Sequence, residues 1–270
     1  MAAGAPTLVL IGAGRMGAAL VRGWMKGKSK RRIAVIEPSP SEEISAWAAD
    51  GKISLNPPPA PASLLVLAVK PQQFAGISET ARGFAGPKTL VVSIMAGVRI
   101  AQISRRLDTA RIIRSMPNTP GSIGQGITVF SAAPGLAAAD LDAAAALLAP
   151  LGEVYGPVDE SLMPAVTALS GSGPAYLFLL AETMAEAGES EGLPRALAQR
   201  LARRTIEGAA ALMAASGDDP ESLRRAVTSP GGTTQAALDI LMDTGGMPRL
   251  LRDALRAAAA RDRQLSKEAD

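Results

Sequence analysis

Short apolar runs alternate with helix-like segments from Thr7 to Met116, and this alternation limits the possible folds more than any other feature of the sequence. The runs TLVLI, IAVIE, SLLVLAV, TLVVSI and ARIIRSM are rich in leucine and β-branched residues. Between them we expect helices that begin after Ser41, Pro71 and Arg99. Strands that read as continuous apolar runs are typical of a parallel sheet covered on both faces. The pattern therefore predicts an α/β domain with a Rossmann-type, doubly wound sheet.

The second half of the chain has a different pattern. After Gly124, the segments ITVF and GEVYGPV predict two more strands with a helix over 137–148 between them, and from Asp159 onward only helical periodicity remains. We therefore expect a dinucleotide-binding domain over 1–160 and an all-helical domain over 161–270. The alanine-rich helices of the second domain have long apolar faces, and about 110 residues of such helix make a thin core unless another copy covers it. This favours a dimerisation domain.

A glycine-rich loop, GAGRMG at 12–17, follows the first strand and opens a helix. Such a loop bends sharply, approaches a pyrophosphate and directs the N–H groups of the next helix at it. Glu37 ends the second strand twenty residues after Gly17, where an acidic side chain accepts hydrogen bonds from an adenosine ribose. A solvated acid at a strand end is the alternative interpretation. Because Ser39 and Ser41 could instead bind a 2′-phosphate, NADH and NADPH both stay open, with Glu37 favouring NADH.

A second glycine-rich segment, TSPGGTT at 228–234, precedes another helix-like run. A Ser-Pro turn, two glycines and two threonines at the mouth of a helix present N–H groups and hydroxyls without a bulky side chain, which suits an anion. An ordinary turn with a threonine cap would explain the same letters. The small-residue run SGSGPAY at 170–176 supports the functional interpretation, although it could equally serve tight helix packing.

The residues that this chain lacks limit the reaction. Dehydrogenases that reduce a carbonyl supply a proton from a positioned His, Lys or Tyr. The chain has no histidine and no lysine between Lys88 and Lys267, and neither Tyr155 nor Tyr176 has a lysine four residues on. A cyclic imine can arrive already protonated, so hydride transfer to its carbon needs orientation more than acid catalysis. The sequence therefore favours an imine as the substrate.

Charge and composition exclude several other classes. A net charge of +3 is too small and too scattered to indicate nucleic-acid binding, and a chain without cysteine has neither disulfides nor thiolate chemistry. The start, MAAGAP, lacks the features of a signal peptide, and no apolar run approaches the roughly 20 residues of a bilayer span. We expect a cytoplasmic protein without a metal site or a nucleic-acid or membrane partner.

Five motifs together resemble, in order and spacing, the Δ1-pyrroline-5-carboxylate reductase family, which catalyses the last step of proline synthesis. They are VKP at 69–71, SIMAGV at 93–98, RSMPNTP at 114–120, SGSGPAY at 170–176 and VTSPGGTT at 227–234. The resemblance covers nearly the whole chain. One departure concerns a local loop contact, because the family often carries an acidic residue where this chain has Leu223 to Ala226.

The resemblance implies a role for each motif in cofactor binding. The glycine-rich loop resembles the pyrophosphate site, and later segments resemble those that line the ribose and support the nicotinamide. With Glu37 and Ser39 added from the spacing argument, the predicted cofactor residues are Ile11, Gly12, Ala13, Gly14, Arg15, Met16, Gly17, Glu37, Ser39, Asn56, Ala68, Val69, Lys70, Pro71, Met95, Ala96 and Gly97.

The substrate residues that the resemblance implies lie in two places. In the segment 116–120, Met116 resembles a residue that shapes the floor of the active site, although a plain proline-bounded turn would read the same way. The remaining substrate residues form the carboxylate cradle, and they are Ser229, Gly231, Gly232 and Thr233. Thr234 resembles the hydroxyl donor to the ring nitrogen and is the one predicted catalytic residue.

The sequence thus predicts a two-domain, NAD(P)H-dependent imine reductase that transfers a hydride to C5 of 1-pyrroline-5-carboxylate and releases L-proline. The resemblance also implies a homodimer or a larger ring of dimers. Two alternatives stay open. A 3-hydroxyacid dehydrogenase shares the GxGxMG start and a helical second domain, but normally uses a lysine acid there. A non-catalytic regulatory protein that senses a dinucleotide would not need the TSPGGTT segment.

Overall fold

The computed structural model describes residues 7–27 and 31–268. The chain groups into two compact units, which we treat separately: the first runs to Gly171 and includes the residues from Ala258 onward, and the second is Ser172–Ala257. The domain boundary at residue 160 stays a prediction. The segment on which the signal-peptide expectation rests, residues 1–6, lies outside the described residues.

Within the described residues, the first unit holds one eight-stranded sheet with the order β3-β2-β1-β4-β5-β6-β7-β8. Its strands are β1 (Leu8–Ile11), β2 (Ile33–Ile36), β3 (Ser54–Leu55), β4 (Leu64–Leu67), β5 (Leu90–Ser93), β6 (Ile112–Met116), β7 (Gly126–Ala132) and β8 (Gly152–Tyr155). All neighbouring strands pair in parallel except β6 and β7, which are antiparallel. The predicted Rossmann-type sheet is confirmed. The short strand β3 and the reversal at β7 are additions that the apolar runs do not reveal.

Helices cover both faces of this sheet. They are α1 (Arg15–Lys26), α2 (Glu42–Ala49), α3 (Phe74–Phe84), α4 (Ile100–Leu107), α5 (Ala138–Leu148) and the short α6 (Met163–Val166), which a π-helical turn over Thr167–Gly171 extends. On one face Leu20 and Leu147 are buried against the strands, and on the other face Phe74 and Ile103 are buried. Because both faces are packed, the ends of the strands are held in fixed positions.

The second unit consists of helices: α7 (Gly173–Ser190), α8 (Arg195–Ser216), α9 (Pro220–Ala226), α10 (Thr233–Leu241) and the first part of α11 (Met247–Glu268). Among its described residues, the buried ones are Pro174, Ala185, Ala198 and Ala202. Large apolar side chains are exposed instead, and they include Leu177, Phe178, Leu179, Leu197, Leu201, Leu212, Ile240 and Leu250. An exposed apolar surface of this kind marks a binding interface.

One helical segment, Glu160–Ser190, is long and apolar enough to cross a membrane by length and composition, within the part of the chain that the structure describes. The sequence expectation that no such run exists therefore needs correction. Only 17% of its most apolar window is buried. An apolar helix face that binds a protein partner has this same composition.

Candidate active site

The three glycines of the GAGRMG loop serve three separate structural requirements. Gly12 has a φ of +91°, and a Cβ there would lie 2.7 Å from the carbonyl oxygen of Ala68. A Cβ on Gly17 would overlap the carbonyl oxygen of Gly12, so helix α1 packs directly on the loop. A Cβ on Gly14 would meet nothing within 4 Å. A tight turn, a close helix contact and open space beside the middle glycine are what a dinucleotide loop requires.

The space beside Gly14 faces the start of α1. Gly14 is the N-cap of this helix, no side chain caps it, and its first turn holds no acidic residue. The first N–H groups of a helix lack partners within the helix and carry a partial positive charge. This end of α1 therefore fits the pyrophosphate of a dinucleotide.

Glu37 is held at the end of β2 by two backbone donors. Its carboxylate accepts hydrogen bonds from the N–H of Ala13 at 2.8 Å and from the N–H of Ser39 at 3.0 Å. Asn56 fixes the backbone of Glu37, because its side-chain amide accepts from the Glu37 N–H at 2.9 Å and donates to the Glu37 carbonyl at 3.0 Å. Asn56 adopts a left-handed φ of 48° to do so. The acid is therefore fixed beside the glycine-rich loop.

Two cavities at this end of the sheet collect most of the predicted cofactor residues. The first, of about 560 Å³, is lined by Ile11, Gly12, Gly14, Ile36, Glu37, Pro38, Asn56, Ala68, Val69, Lys70, Gln73, Ile77 and Thr80. The second, of about 550 Å³, shares Gly14 and Glu37 and adds Ala13, Arg15, Ala18, Arg22, Ser39, Ser41, Glu43 and Ser122. Ligands bind at the carboxyl ends of the strands in sheets of this type.

The sequence argument missed the residues that α3 and the turn before it contribute to the first cavity. Gln73 accepts a hydrogen bond from the Lys70 N–H at 3.1 Å, and Ile77 and Thr80 follow it along α3. Their spacing of three and four residues places them on one helix face. That spacing is the signal that could have identified them.

The other predicted cofactor residues, Met16, Gly17, Pro71, Met95, Ala96 and Gly97, do not line these cavities. Met16 packs against the core, and Pro71 begins a short 3₁₀ helix. Met95 is buried beyond the end of β5, where its N–H donates to the Ser93 hydroxyl at 3.2 Å. Support of the nicotinamide by the segment 95–97 therefore stays a prediction.

Met116 lies against Gly171, at the start of the small-residue run. A Cβ on Gly171 would overlap the Met116 methyl group, so the glycine permits this contact. The Asn118 amide donates to the Ser170 hydroxyl at 3.2 Å and accepts from the Ile127 N–H at 3.1 Å. These contacts support the packing interpretation of the run. They also hold it next to Met116 in a π-helical turn, an element found frequently at functional sites.

The predicted carboxylate cradle lies in the second unit, between α9 and α10. The Gly232 N–H donates to the Ser229 carbonyl at 3.0 Å, and Gly231 has a φ of +70°. Helix α10 then begins at Thr233, with no side-chain cap on Gly232 and no acidic residue in its first turn. The Gly232 N–H therefore closes the turn, and the role of Gly232 in binding the carboxylate stays a prediction. The first-turn N–H groups of α10 lack partners within the helix.

The sheet order, the glycine-rich loop and the fixed acid define the class of protein, a dinucleotide-dependent oxidoreductase. The family model "NADP oxidoreductase coenzyme F420-dependent" matches residues 7–97, and "Pyrroline-5-carboxylate reductase dimerisation" matches residues 160–265. The chain is 37% identical to the pyrroline-5-carboxylate reductase of Pseudomonas aeruginosa over 97% of its own length and 98% of that protein. The chain belongs to the pyrroline-5-carboxylate reductase family.

Other relatives agree with this assignment. The pyrroline-5-carboxylate reductase of Pisum sativum is 36% identical over 96% of each chain. The solved structure of the enzyme from Coxiella burnetii superimposes with a TM-score of 0.86 at 32% identity, covering 97% of this chain and 98% of that one. The predicted family, the reductase function with NAD(P)H and the homo-oligomer are thereby confirmed. The roles of single residues and the choice between NADH and NADPH stay predictions.

Proposed function

We propose that this chain reduces 1-pyrroline-5-carboxylate to L-proline with a nicotinamide dinucleotide bound at the carboxyl end of the first unit's sheet. The observation that carries this is the open space at Gly14, framed by the tight turn at Gly12 and by the uncapped start of α1. When bound, the reduced nicotinamide supplies the hydride. The chain's own contribution is to bind and orient, since it contains no histidine that could act as a general acid.

The substrate is held by the loop between α9 and α10. In this proposal the carboxylate lies on the first-turn N–H groups of α10, where the helix dipole favours a negative charge. Ser229 and Gly231 shape the approach, and the turn closed by Gly232 sets the position of Thr233. The half-buried Thr234 directs its hydroxyl to the ring nitrogen. An imine that arrives protonated then needs no proton from the protein.

NADH is the preferred cofactor in this proposal. Glu37 is fixed by two N–H donors, and a 2′-phosphate about 4 Å from its carboxylate would be disfavoured by about 1 to 4 kcal/mol. Of the nearby cations, Arg22 is already engaged by Glu43, with contacts of 2.7 to 3.0 Å. The Ser39 N–H is likewise occupied by Glu37. Because Arg22 and the Ser39 N–H already have partners, fewer cations and donors are available to bind a 2′-phosphate.

The assembly in this proposal is a homodimer formed by the helical unit, or a larger ring of such dimers. The exposed apolar side chains of α7, α8 and α10 support it, because a second copy would remove them from water. We expect the enzyme to act in the cytoplasm, and its small net charge of +3 gives little attraction to nucleic acid or to a membrane surface.

A coupled comparison of substrates tests the function. The purified chain is given NADH or NADPH with 1-pyrroline-5-carboxylate, and the loss of reduced nicotinamide is followed by its absorbance. Parallel reactions contain a 3-hydroxyacid with the oxidised cofactor, or the corresponding keto acid with the reduced one. We expect turnover with the imine only. Turnover with the hydroxyacid pair, or none with the imine, would contradict the proposal.

A further inference from the structure

A buried group of charged side chains lies behind the turn at 95–97, and the proposed mechanism does not use it. Arg114 extends from β6, and its guanidinium lies 3.2 Å from the carboxylate of Glu160 and 3.6 Å from that of Asp262 on α11. The side chains of Arg114 and Asp262 are only 3% and 1% exposed. All three residues belong to the first unit. A single guanidinium therefore joins two carboxylates from distant parts of the chain.

A charged Asp262 carboxylate is energetically unfavourable in this buried position. Among the described residues, neither of its carboxylate oxygens has a partner at hydrogen-bonding geometry. Burial raises its pKa, and Arg114, the Thr167 hydroxyl, the Gly97 N–H and Arg263 oppose this only in part. An acid with a raised pKa binds its proton more tightly in the native state than in the unfolded state. As pH rises from the pKa of Asp262 in the unfolded state through its pKa in the native state, ionisation of Asp262 therefore lowers the free energy of unfolding.

The helix that carries Asp262 braces the turn at Gly97. Gly97 has a φ of +72°, and a Cβ there would lie 3.1 Å from the Leu265 Cβ and 3.5 Å from the Asp262 carbonyl. One helical turn beyond Asp262, the Ser266 hydroxyl donates to the Gly97 carbonyl. The buried Gln102 amide in turn donates to the Ser266 carbonyl at 2.6 Å. This end of α11 is thus bonded to the segment that follows β5.

The cluster of Arg114, Glu160 and Asp262 is also connected to other segments near the predicted active site. Glu160 accepts a hydrogen bond from the Ile100 N–H at 2.8 Å, which fixes the start of α4 just after the turn. Arg114 lies two residues before Met116 on β6. A displacement of Asp262 would therefore move the turn at 95–97 and the end of β6 relative to each other.

We propose that Asp262, held by Arg114, is a positioning residue for hydride transfer. It fixes the turn at Gly97 against the end of β5, and so sets the surface on which the nicotinamide rests. The inference rests on the proposed function and on the role that the family resemblance implies for residues 95–97, which is to support the nicotinamide. A residue that served the fold alone would stabilise it, whereas one kept at a cost to stability points to function.

Asp262→Asn tests this proposal, because it keeps the size of the side chain and removes its charge. We expect kcat to fall about ten- to a hundredfold, the range for small misplacement of reacting groups, with little change in KM for the imine. The kinetic isotope effect with nicotinamide deuterated at the transferred position should increase. The urea midpoint at neutral pH should stay the same or rise.

Asp140→Asn is the matched control. Asp140 is the other aspartate of the first unit that is buried among the described residues; it contacts Arg111 at 2.7 Å and caps the start of α5. Its replacement should lower the urea midpoint and leave kcat and the isotope effect unchanged. An Asp262→Asn enzyme with wild-type kcat and isotope effect would overturn the inference. So would one that loses stability and activity together without a change in the isotope effect. If the wild-type chain does not reduce the imine, the proposed function fails and the inference fails with it.

Discussion

The two units of this chain differ in how far their apolar side chains are exposed. In the first, Leu10, Val66 and Phe74 are at most 1% exposed, because helices cover both faces of the sheet. In the second, Phe178 is 64% and Ile240 75% exposed. The first unit therefore contains its own core, and the second exposes apolar side chains that a further copy of the chain would cover. Packing within the unit fixes the position of side chains in the first unit, whereas we expect subunit association to do so in the second.

Phe178→Glu tests whether the exposed apolar surface of the second unit is a subunit interface. An uncompensated charge in an apolar interface costs several kcal/mol, so we expect subunit affinity to fall by about a hundredfold or more. Light scattering across a concentration series measures this. Glu186→Gln, an exposed change on the same helix, should leave the assembly intact. A wild-type chain that is a stable monomer at working concentrations would show that the second unit needs no partner.

Thr234→Ala separates the chemistry of the second unit from cofactor binding in the first. Loss of one well-placed donor should lower kcat/KM by about ten- to a thousandfold, while the Kd for NADH, measured by fluorescence titration, stays the same. Thr183→Ala is the control, since that hydroxyl only donates to carbonyls within α7. Unchanged kcat/KM in the Thr234 variant would remove the hydroxyl from the mechanism.

Two glycines of the first unit separate fold from function within a single loop. Gly14→Val places a side chain in open space, so it should change the free energy of unfolding by less than about 1 kcal/mol but raise the Kd for NADH tenfold or more. Gly17→Ala should instead lower the free energy of unfolding by about 1 to 3 kcal/mol, because its Cβ overlaps the Gly12 carbonyl. Urea denaturation and cofactor titration distinguish them. The reverse pattern would mean that the pyrophosphate does not lie beside Gly14.

Glu37→Ser tests the finest distinction in the first unit, the choice between cofactors. Removing the carboxylate should improve kcat/KM with NADPH relative to NADH by about tenfold, the lower part of the range for like charges at close contact. Asp50→Ser is a control. Asp50 is exposed, and the one ion pair described for it is with Lys52. A wild-type enzyme that already prefers NADPH by tenfold would contradict the role given to Glu37.

Sequence reasoning succeeded where the signal is local. The strands β1, β2, β4, β5 and β6 were predicted because each is a continuous apolar run, and the glycine-rich loop because glycines at this spacing after a strand are typical of a dinucleotide-binding turn. Glu37 could be predicted as a fixed acid, but its partner, the Ala13 N–H, could not. Two-residue β3 is too short to carry a pattern, and an apolar run does not encode the antiparallel direction of β7.

Long-range contacts gave no such signal. Asp262 stands between Arg261 and Arg263 in a helix rich in charge, so its sequence context reads as a solvated face. Its burial follows from the return of α11 to the first unit, which depends on tertiary packing alone. The turn closed by Gly232 was missed for a related reason, because the letters GG do not show which N–H group bonds within the turn.

The return of α11 has a consequence for the order in which this protein can be made. The Ser266 hydroxyl and the Gly97 carbonyl that it bonds are 169 residues apart, and the entire helical unit lies between them in the chain. During synthesis, the sheet can form early, since domains fold as they emerge. The turn at Gly97 must wait until residues 258–268 have left the ribosome. A nascent chain can therefore form the glycine-rich loop before the contact between α11 and the turn at Gly97 is made.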